Sequence, residues 1–363
     1  MCLSEEQQIL RGSIKDFVRR YVIPKEREIR NGIFPKEIIR NLGKNGFFNV
    51  MIPGFGVQDS YSYSLIVEEI ASVSPSLAWI YATHVAAAYV ISKMGNEAQR
   101  SEYIEKIADG RFLSTIAITE SASGATASAV QTKAEKEGDS WKINGSKTFI
   151  TMASEADLYI IMARSEKEKP IFTDFIVKGD DKGFVRSSSL HGSGLPGIGW
   201  GEISLENMEI GPDRVLGEEG SGLKIIPTVA KVFTIGAASI SLGIMDALNA
   251  QVLDHIRERK INGAALLSFQ SVQDKYMHMY SDDQAASALI YRAAINEDIK
   301  LSYAAKVFAT ERAIENSITA SRLFGANGYD RTVGMPSHVD DAIAVPLHFI
   351  NNDILTGLFI NAL

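Results

Sequence analysis

The stretch Ala117–Thr151, AITESASGATASAVQTKAEKEGDSWKINGSKTFIT, marks a change of texture in the chain. A loop of small residues gives way to runs rich in β-branched and aromatic side chains, WKI and SKTFIT, set apart by Gly138-Asp139 and Asn144-Gly145. Asn-Gly between two such runs is a hairpin signal, because both residues tolerate the positive φ that a tight turn needs. We therefore expect a hairpin turn at Asn144-Gly145. Similar short runs lie on either side, STIAIT before and DLYIIMA, TDFIVK and EISLENMEI after, with KGDDKG between the last two.

Outward from this unit the pattern becomes helical. Ser4 and Gln7 form a capping box ahead of Ile9, Leu10, Ile14, Phe17 and Val18 at helical spacing. After glycine breaks, LAWIYATHVAAAYVISKM resumes it, and beyond residue 217 come GLKIIPTVAKVF and GIMDALNAQVLDHIRERK. This order predicts an α+β chain: an N-terminal helical domain over 1–113, a middle antiparallel β domain over 114–217 and a C-terminal helical bundle over 218–363.

Composition narrows the function. The chain has 363 residues, 45% hydrophobic and 22% charged, enough for several packed units and too apolar for disorder. A formal charge of −7 offers no basic field, so nucleic acid is not an expected partner. The single cysteine, Cys2, leaves no disulfide framework or Cys-based zinc site and suits a reducing cytoplasm. Glu5 and Glu6 stand where a secretory signal would be basic. The longest apolar segment, Phe233–Met245, has 13 residues, nearer a core helix than a membrane span of about 20.

Several motifs point nowhere. Gly192, Gly194 and Gly197 satisfy G-x-G-x-x-G, but a Pro-containing loop running into a strand lacks the helix N-terminus that a pyrophosphate needs. The six histidines have no metal-ligand spacing, so no metal site is expected. His84 reads as a satisfied core histidine, and the adjacent Asp340 and Asp341 as a solvated or capping feature.

The Ala117–Thr151 segment resembles the signature of the acyl-CoA dehydrogenase flavoprotein family, a T-E-P-x-A-G-S-D loop leading through a strand pair to W-I-T. Thr119-Glu120, Gly138-Asp139, Asn144-Gly145, Lys147 and Ile150-Thr151 match without a gap. ERKING at Glu258–Gly263 followed by Gln270, RLFGANGY at Arg322–Tyr329, and the N-terminal IPKEREI and NLGKNGFFNVMIP are similar in the same order.

The resemblance implies FAD as cofactor, with the flavin edge met by Ile118, Thr119, Phe149, Ile150 and Thr151. Phe149 replaces the usual tryptophan. Arg259 is implied at the FAD pyrophosphate, with Gln270, Arg322, Gly325 and Ala326 serving the cofactor of a neighbouring subunit, hence a homodimer or homotetramer. Acyl-CoA or an acyl carrier protein and an electron-transferring flavoprotein are the implied partners.

The substrate side departs from the family. The family removes an α proton with a glutamate in Y-E-G-T while hydride leaves to flavin. Aligning Asp340-Asp341-Ala342 with R-D-A puts Phe349 at that glutamate. Phe233 and Thr234 fill the alternative base position on the earlier helix. The loop's serine and aspartate are Ala125 and Thr126. This implies an oxidoreductase for an unusual, small or polar acyl thioester. His348 becomes the candidate proton acceptor, since an imidazole titrates near neutrality. A flavin-dependent oxidase or monooxygenase of the same fold, or a non-catalytic FAD-binding homologue, are the alternatives.

Overall fold

The computed structural model describes residues 4–55, 59–124, 126–165, 171–348 and 350–361. The capping box forms as expected, with the Gln7 amide donating to Ser4 Oγ at 3.2 Å, and opens α1 (Glu5–Phe17). Helices α2 (Glu26–Arg30), α3 (Lys36–Lys44), α4 (Ser60–Ala71), α5 (Pro75–Met94) and α6 (Glu97–Ala108) complete the N-terminal part. Nearly every residue of α5 is buried, which is why its sequence is apolar all round. His84 within it is the core histidine expected. The Ser114 amide donates to its Nδ1 at 3.1 Å, so Nε2 carries the proton and donates to Ile107 O at 3.1 Å.

The middle part is one sheet of β1 (Ser114–Ala117), β2 (Lys133–Glu137), β3 (Ser140–Ile150), β4 (Leu158–Arg164), β5 (Phe172–Lys178), β6 (Phe184–Ser189), β7 (Gly201–Ile210) and β8 (Val215–Leu216). The order is β6-β7-β3-β2-β4-β5-β8, with β1 paired to β4. The sheet is mixed, where antiparallel pairing alone was expected: β1 and β2 run parallel to β4. The cause is local. Asp157 ties the entry of β4 to the entry of β1, its amide donating to Leu113 O and its Oδ2 accepting from the Leu113 amide, both at 2.8 Å.

The hairpin expected at Asn144-Gly145 is not there. WKI and SKTFIT are one strand, β3, and the turn is Gly138-Asp139, left between the pair Glu137 and Ser140. Asn144-Gly145 instead makes a bulge against β7. A Cβ on Gly145 would lie 2.5 Å from Thr132 Oγ1, and Asn144 Oδ1 accepts from the Asn207 amide at 2.7 Å. Glycine is required there by crowding, not by a turn.

The C-terminal part holds α7 (Ile225–Glu258), a short hairpin of β9 (Lys260–Ile261) and β10 (Ala264–Ala265), then α8 (Gln270–Asn296), α9 (Ile299–Phe324), α10 (Met335–Ala344) and α11 (Asn352–Asn361). The apolar Phe233–Met245 run is the centre of α7. That helix is long and apolar enough to cross a membrane, yet 78% of its apolar window is buried inside the protein. The stretch Met335–Ile360 also passes on length and hydropathy, with 24% buried, and is broken at the Val345–Leu347 turn. Helix α7 packs on α4, α5, α8 and α9, and one hydrophobic core runs through all three parts.

Candidate active site

A cavity of about 770 Å³ opens where the three parts meet. Its walls are Thr119 and Phe149 from the β part, the loop from Ser189 to Trp200, and the end of α10 with Leu347 and His348. The loop contains the G-x-G-x-x-G triplet, and the structure gives those glycines a packing role. A Cβ on Gly194 would lie 2.1 Å from Asp340 O, and one on Gly197 2.9 Å from Ile33 O. The loop therefore lies directly on α10 and on the turn after α2.

Asp341 fixes this junction, which corrects its reading as a solvated or capping residue. It is fully buried; Oδ1 accepts from the Leu195 amide at 2.7 Å and Oδ2 pairs with Arg30. Arg30 in turn holds Glu26 at 2.8 Å. Gly194→Ala should push the loop off α10. We expect a stability loss of about 1–3 kcal/mol, as for overpacking, together with weaker flavin retention, read by denaturant unfolding and by flavin absorbance after gel filtration.

The segments matched to the flavin edge are held from behind. The Lys147 ammonium is buried and donates to Ile118 O at 3.1 Å and to Glu120 Oε1 at 2.7 Å. Glu120 also accepts from the amides of Gln131 and Thr132, at 2.7 and 2.9 Å, and from the Thr132 hydroxyl. Burial pushes the Glu120 carboxyl up, but Lys147 and these donors outweigh it and hold it below its usual range. Burial pulls Lys147 down to about 8 against the attraction of Glu120. Asp174, buried beside this pair, has no hydrogen-bond partner among the described residues, and burial raises its carboxyl well above the usual range.

Thr119 O accepts from the Thr148 amide at 3.0 Å, closing the loop onto β3. Phe149 follows with φ 60°, a costly conformation for an aromatic residue, and its ring stays 52% exposed. It stacks on Trp200 with centroids 5.3 Å apart. Ile150 and Thr151 are buried; Thr151 Oγ1 accepts from Trp79 Nε1 at 3.0 Å and its carbonyl from Thr115 Oγ1 at 2.8 Å.

His348 reaches the same cavity. Its Nδ1 lies 2.7 Å from Ala344 O, so in the neutral ring Nδ1 carries the proton and donates, leaving a lone pair on Nε2. That Nε2 is buried with no hydrogen-bond partner among the described residues. Trp79 meets the ring edge-on at 4.8 Å. Burial lowers the imidazole pKa below 6.5; the Ala344 carbonyl opposes this and the Lys306 charge adds to it.

The remaining expected residues divide. Phe233 packs against Trp79 at 5.6 Å, and the buried Thr234 hydroxyl donates to Ala230 O at 2.7 Å; neither lines the cavity. Arg259, Gln270, Arg322, Gly325 and Ala326 are all exposed and lie at one end of the bundle, where His255 on α7 stacks on Phe324 of α9 at 4.0 Å. Within one chain they do not join Thr119 and Phe149 around the cavity. Ala125 and Phe349 lie outside the described residues. Trp79, Trp200, Asp341 and Lys306 escaped the sequence reading. Trp79 was hidden in an apolar helix, whereas the Gly-Trp ending the glycine loop was a usable signal.

The residues present fit a flavin. A cofactor-sized cavity has a glycine wall, an exposed aromatic stack and a buried nitrogen, Trp200 Nε1, without a partner among the described residues. Bound there, FAD would supply the hydride acceptor.

Three family models match in series: the acyl-CoA dehydrogenase N-terminal domain over residues 4–111, the middle domain over 115–208 and the C-terminal domain over 220–347. An acyl-CoA dehydrogenase of Bacillus subtilis (strain 168) is 29% identical over 366 residues, covering 98% of this chain and 97% of its own. A 3-(aryl)acrylate reductase of Clostridium sporogenes is 30% identical over 344 residues, 91% of this chain and 90% of its own. Butyryl-CoA dehydrogenase from Megasphaera elsdenii superposes with a TM-score of 0.95 at 28% identity, covering 100% of this chain and 99% of that one. The chain belongs to the acyl-CoA dehydrogenase family and is an FAD-dependent oxidoreductase.

Proposed function

We propose that this enzyme oxidises a small or polar acyl thioester, carried on CoA or on an acyl carrier protein, with His348 as the proton acceptor. The observation that carries the reading is the state of His348, a residue of the cavity wall: Nδ1–H is committed to Ala344 O, and the buried Nε2 is left unprotonated with no partner among the described residues. A base needs a free lone pair at working pH, and burial keeps this ring neutral there.

In the reaction one hydrogen of the acyl group would leave with its C–H bonding pair as hydride, and FAD, when bound, would supply the acceptor. A proton leaves the neighbouring atom, a hydroxyl oxygen or the α carbon, for Nε2, and its bonding pair forms the new π bond. Ser154, Glu155, His191 and Asn351 in the cavity wall support a polar acyl group. The exposed Arg259, Gln270, Arg322, Gly325 and Ala326 suit a neighbouring subunit's cofactor, hence a homodimer or homotetramer. An electron-transferring flavoprotein as acceptor and a cytoplasmic setting complete the reading.

The test is anaerobic titration of the purified flavoprotein with acyl thioesters on CoA and on a pantetheinylated carrier protein. Bleaching of the oxidised flavin band by one of them is expected and names the substrate class. A flavin that no thioester bleaches, but that consumes oxygen with a reducing partner, would replace this reading by an oxidase or monooxygenase. With that substrate, kcat/KM should lose activity with a one-proton slope on the acid side. The depressed His348 pKa puts that limb below pH 6.5, and pH 7 lies on the plateau.

A further inference from the structure

Lys306 on α9 is completely buried, and no carboxylate among the described residues pairs with it. Its ammonium donates to Ile350 O and, at 3.5 Å, to His348 O, the carbonyls on either side of position 349. One turn further along α9, the Asn352 amide donates to Thr310 Oγ1 and Glu311 Oε1, each at 2.9 Å. One face of α9 therefore grips the chain at residues 348, 350 and 352. On the other side, the His348 ring is fastened to Ala344 O.

A buried cation is a costly way to satisfy two carbonyls, since a neutral donor would do so without desolvating a charge. Burial pulls this ammonium down to about 8. What the lysine adds is reach and direction: a long side chain crossing from α9 to hold residues 348 and 350, which lie between α10 and α11.

We propose that Lys306 is the positioning residue of the site, fixing the backbone at residues 348 and 350 and so holding the ring of His348 in its Nδ1–H form. The proposal rests on the reading that His348 takes the proton, and deepens it. Lys306 touches backbone only and acts through His348.

The test compares Lys306→Met and Lys306→Gln holoenzymes with wild type. One readout is turnover on the thioester that bleaches the flavin. The other is the nitrogen NMR signature of the His348 ring, assigned by its loss in His348→Gln. Lys306→Met should lower kcat by about 10–100-fold with KM nearly unchanged, and convert the single Nδ1–H tautomer into a mixture. Lys306→Gln, which keeps a donor, should recover part of both, and reads the same question should the methionine variant fail to fold. A Lys306 variant with lowered Tm but wild-type kcat and an unchanged His348 tautomer overturns the proposal and makes the lysine purely structural. If His348→Gln retains turnover, the proton-acceptor reading fails instead, and the tautomer comparison still decides whether Lys306 sets the ring.

Discussion

His348→Gln should lower the rate of flavin reduction by a true thioester substrate about 10²–10⁴-fold, the usual contribution of a positioned general base. Glutamine keeps a polar side chain beneath Trp79 and Trp200 but offers no proton acceptor of comparable basicity, so the ring's packing is changed less than its chemistry. The cavity walls at Thr119, Phe149 and Trp200 are untouched, and FAD content should stay at the wild-type level. The decisive comparison is rapid-mixing flavin reduction under anaerobic conditions, which isolates the chemical step from reoxidation. A variant that reduces its flavin at the wild-type rate would assign the proton to another group.

The second large effect is expected at Lys147. Lys147→Met leaves Glu120 buried with Gln131 and Thr132 as donors and its cation removed. Breaking one partner of such a pair typically costs about 3–5 kcal/mol, because the stranded charge keeps its desolvation penalty. Denaturant unfolding of Lys147→Met, Glu120→Gln and the double variant would measure it. The double variant should be more stable than the sum of the single losses predicts, since neither charge is then stranded. FAD should also dissociate more readily from Lys147→Met, because Ile118 O, one of the lysine's two acceptors, lies in the loop that presents Thr119 to the cavity. Additive stability losses would mean that the pair is not coupled as its 2.7 Å contact implies.

How legible these features were in the sequence depended on how local they are. The strands β4, β5 and β7, and β3 as two runs, were read from their β-branched and aromatic residues. Strands β2 and β6 are mostly exposed, KAEKE and FVRSSS, and carried no such signal. Asn144-Gly145 misled because the dipeptide that favours a turn also permits a bulge; crowding by Thr132 decides between them, and Thr132 is on another segment. The flavin-edge assignment rested on a resemblance confined to the short stretch from Thr119 to Thr151, which is why it could be made from sequence. The junction of Arg30 with Asp341 spans 311 positions, and the grip of Lys306 on residues 348 and 350 spans more than 40. No pattern within a segment encodes such contacts. Two adjacent aspartates therefore looked like surface, and a lysine in an otherwise ordinary helix attracted no notice.

Asp341 has a consequence for how the protein breathes. Its carboxylate belongs to α10, its cation to α2 and its amide donor to the loop after β6, so all three parts of the chain close on one buried group. Lifting α10 alone would strand a charge, and lifting the loop alone would leave that carboxylate without one of its donors. Opening is therefore cooperative, and the Leu195 amide is its natural gauge. In hydrogen exchange this loop amide should be protected far beyond its exposed neighbours and should exchange together with the core amides of α10, as one unit whose release admits solvent to the cavity.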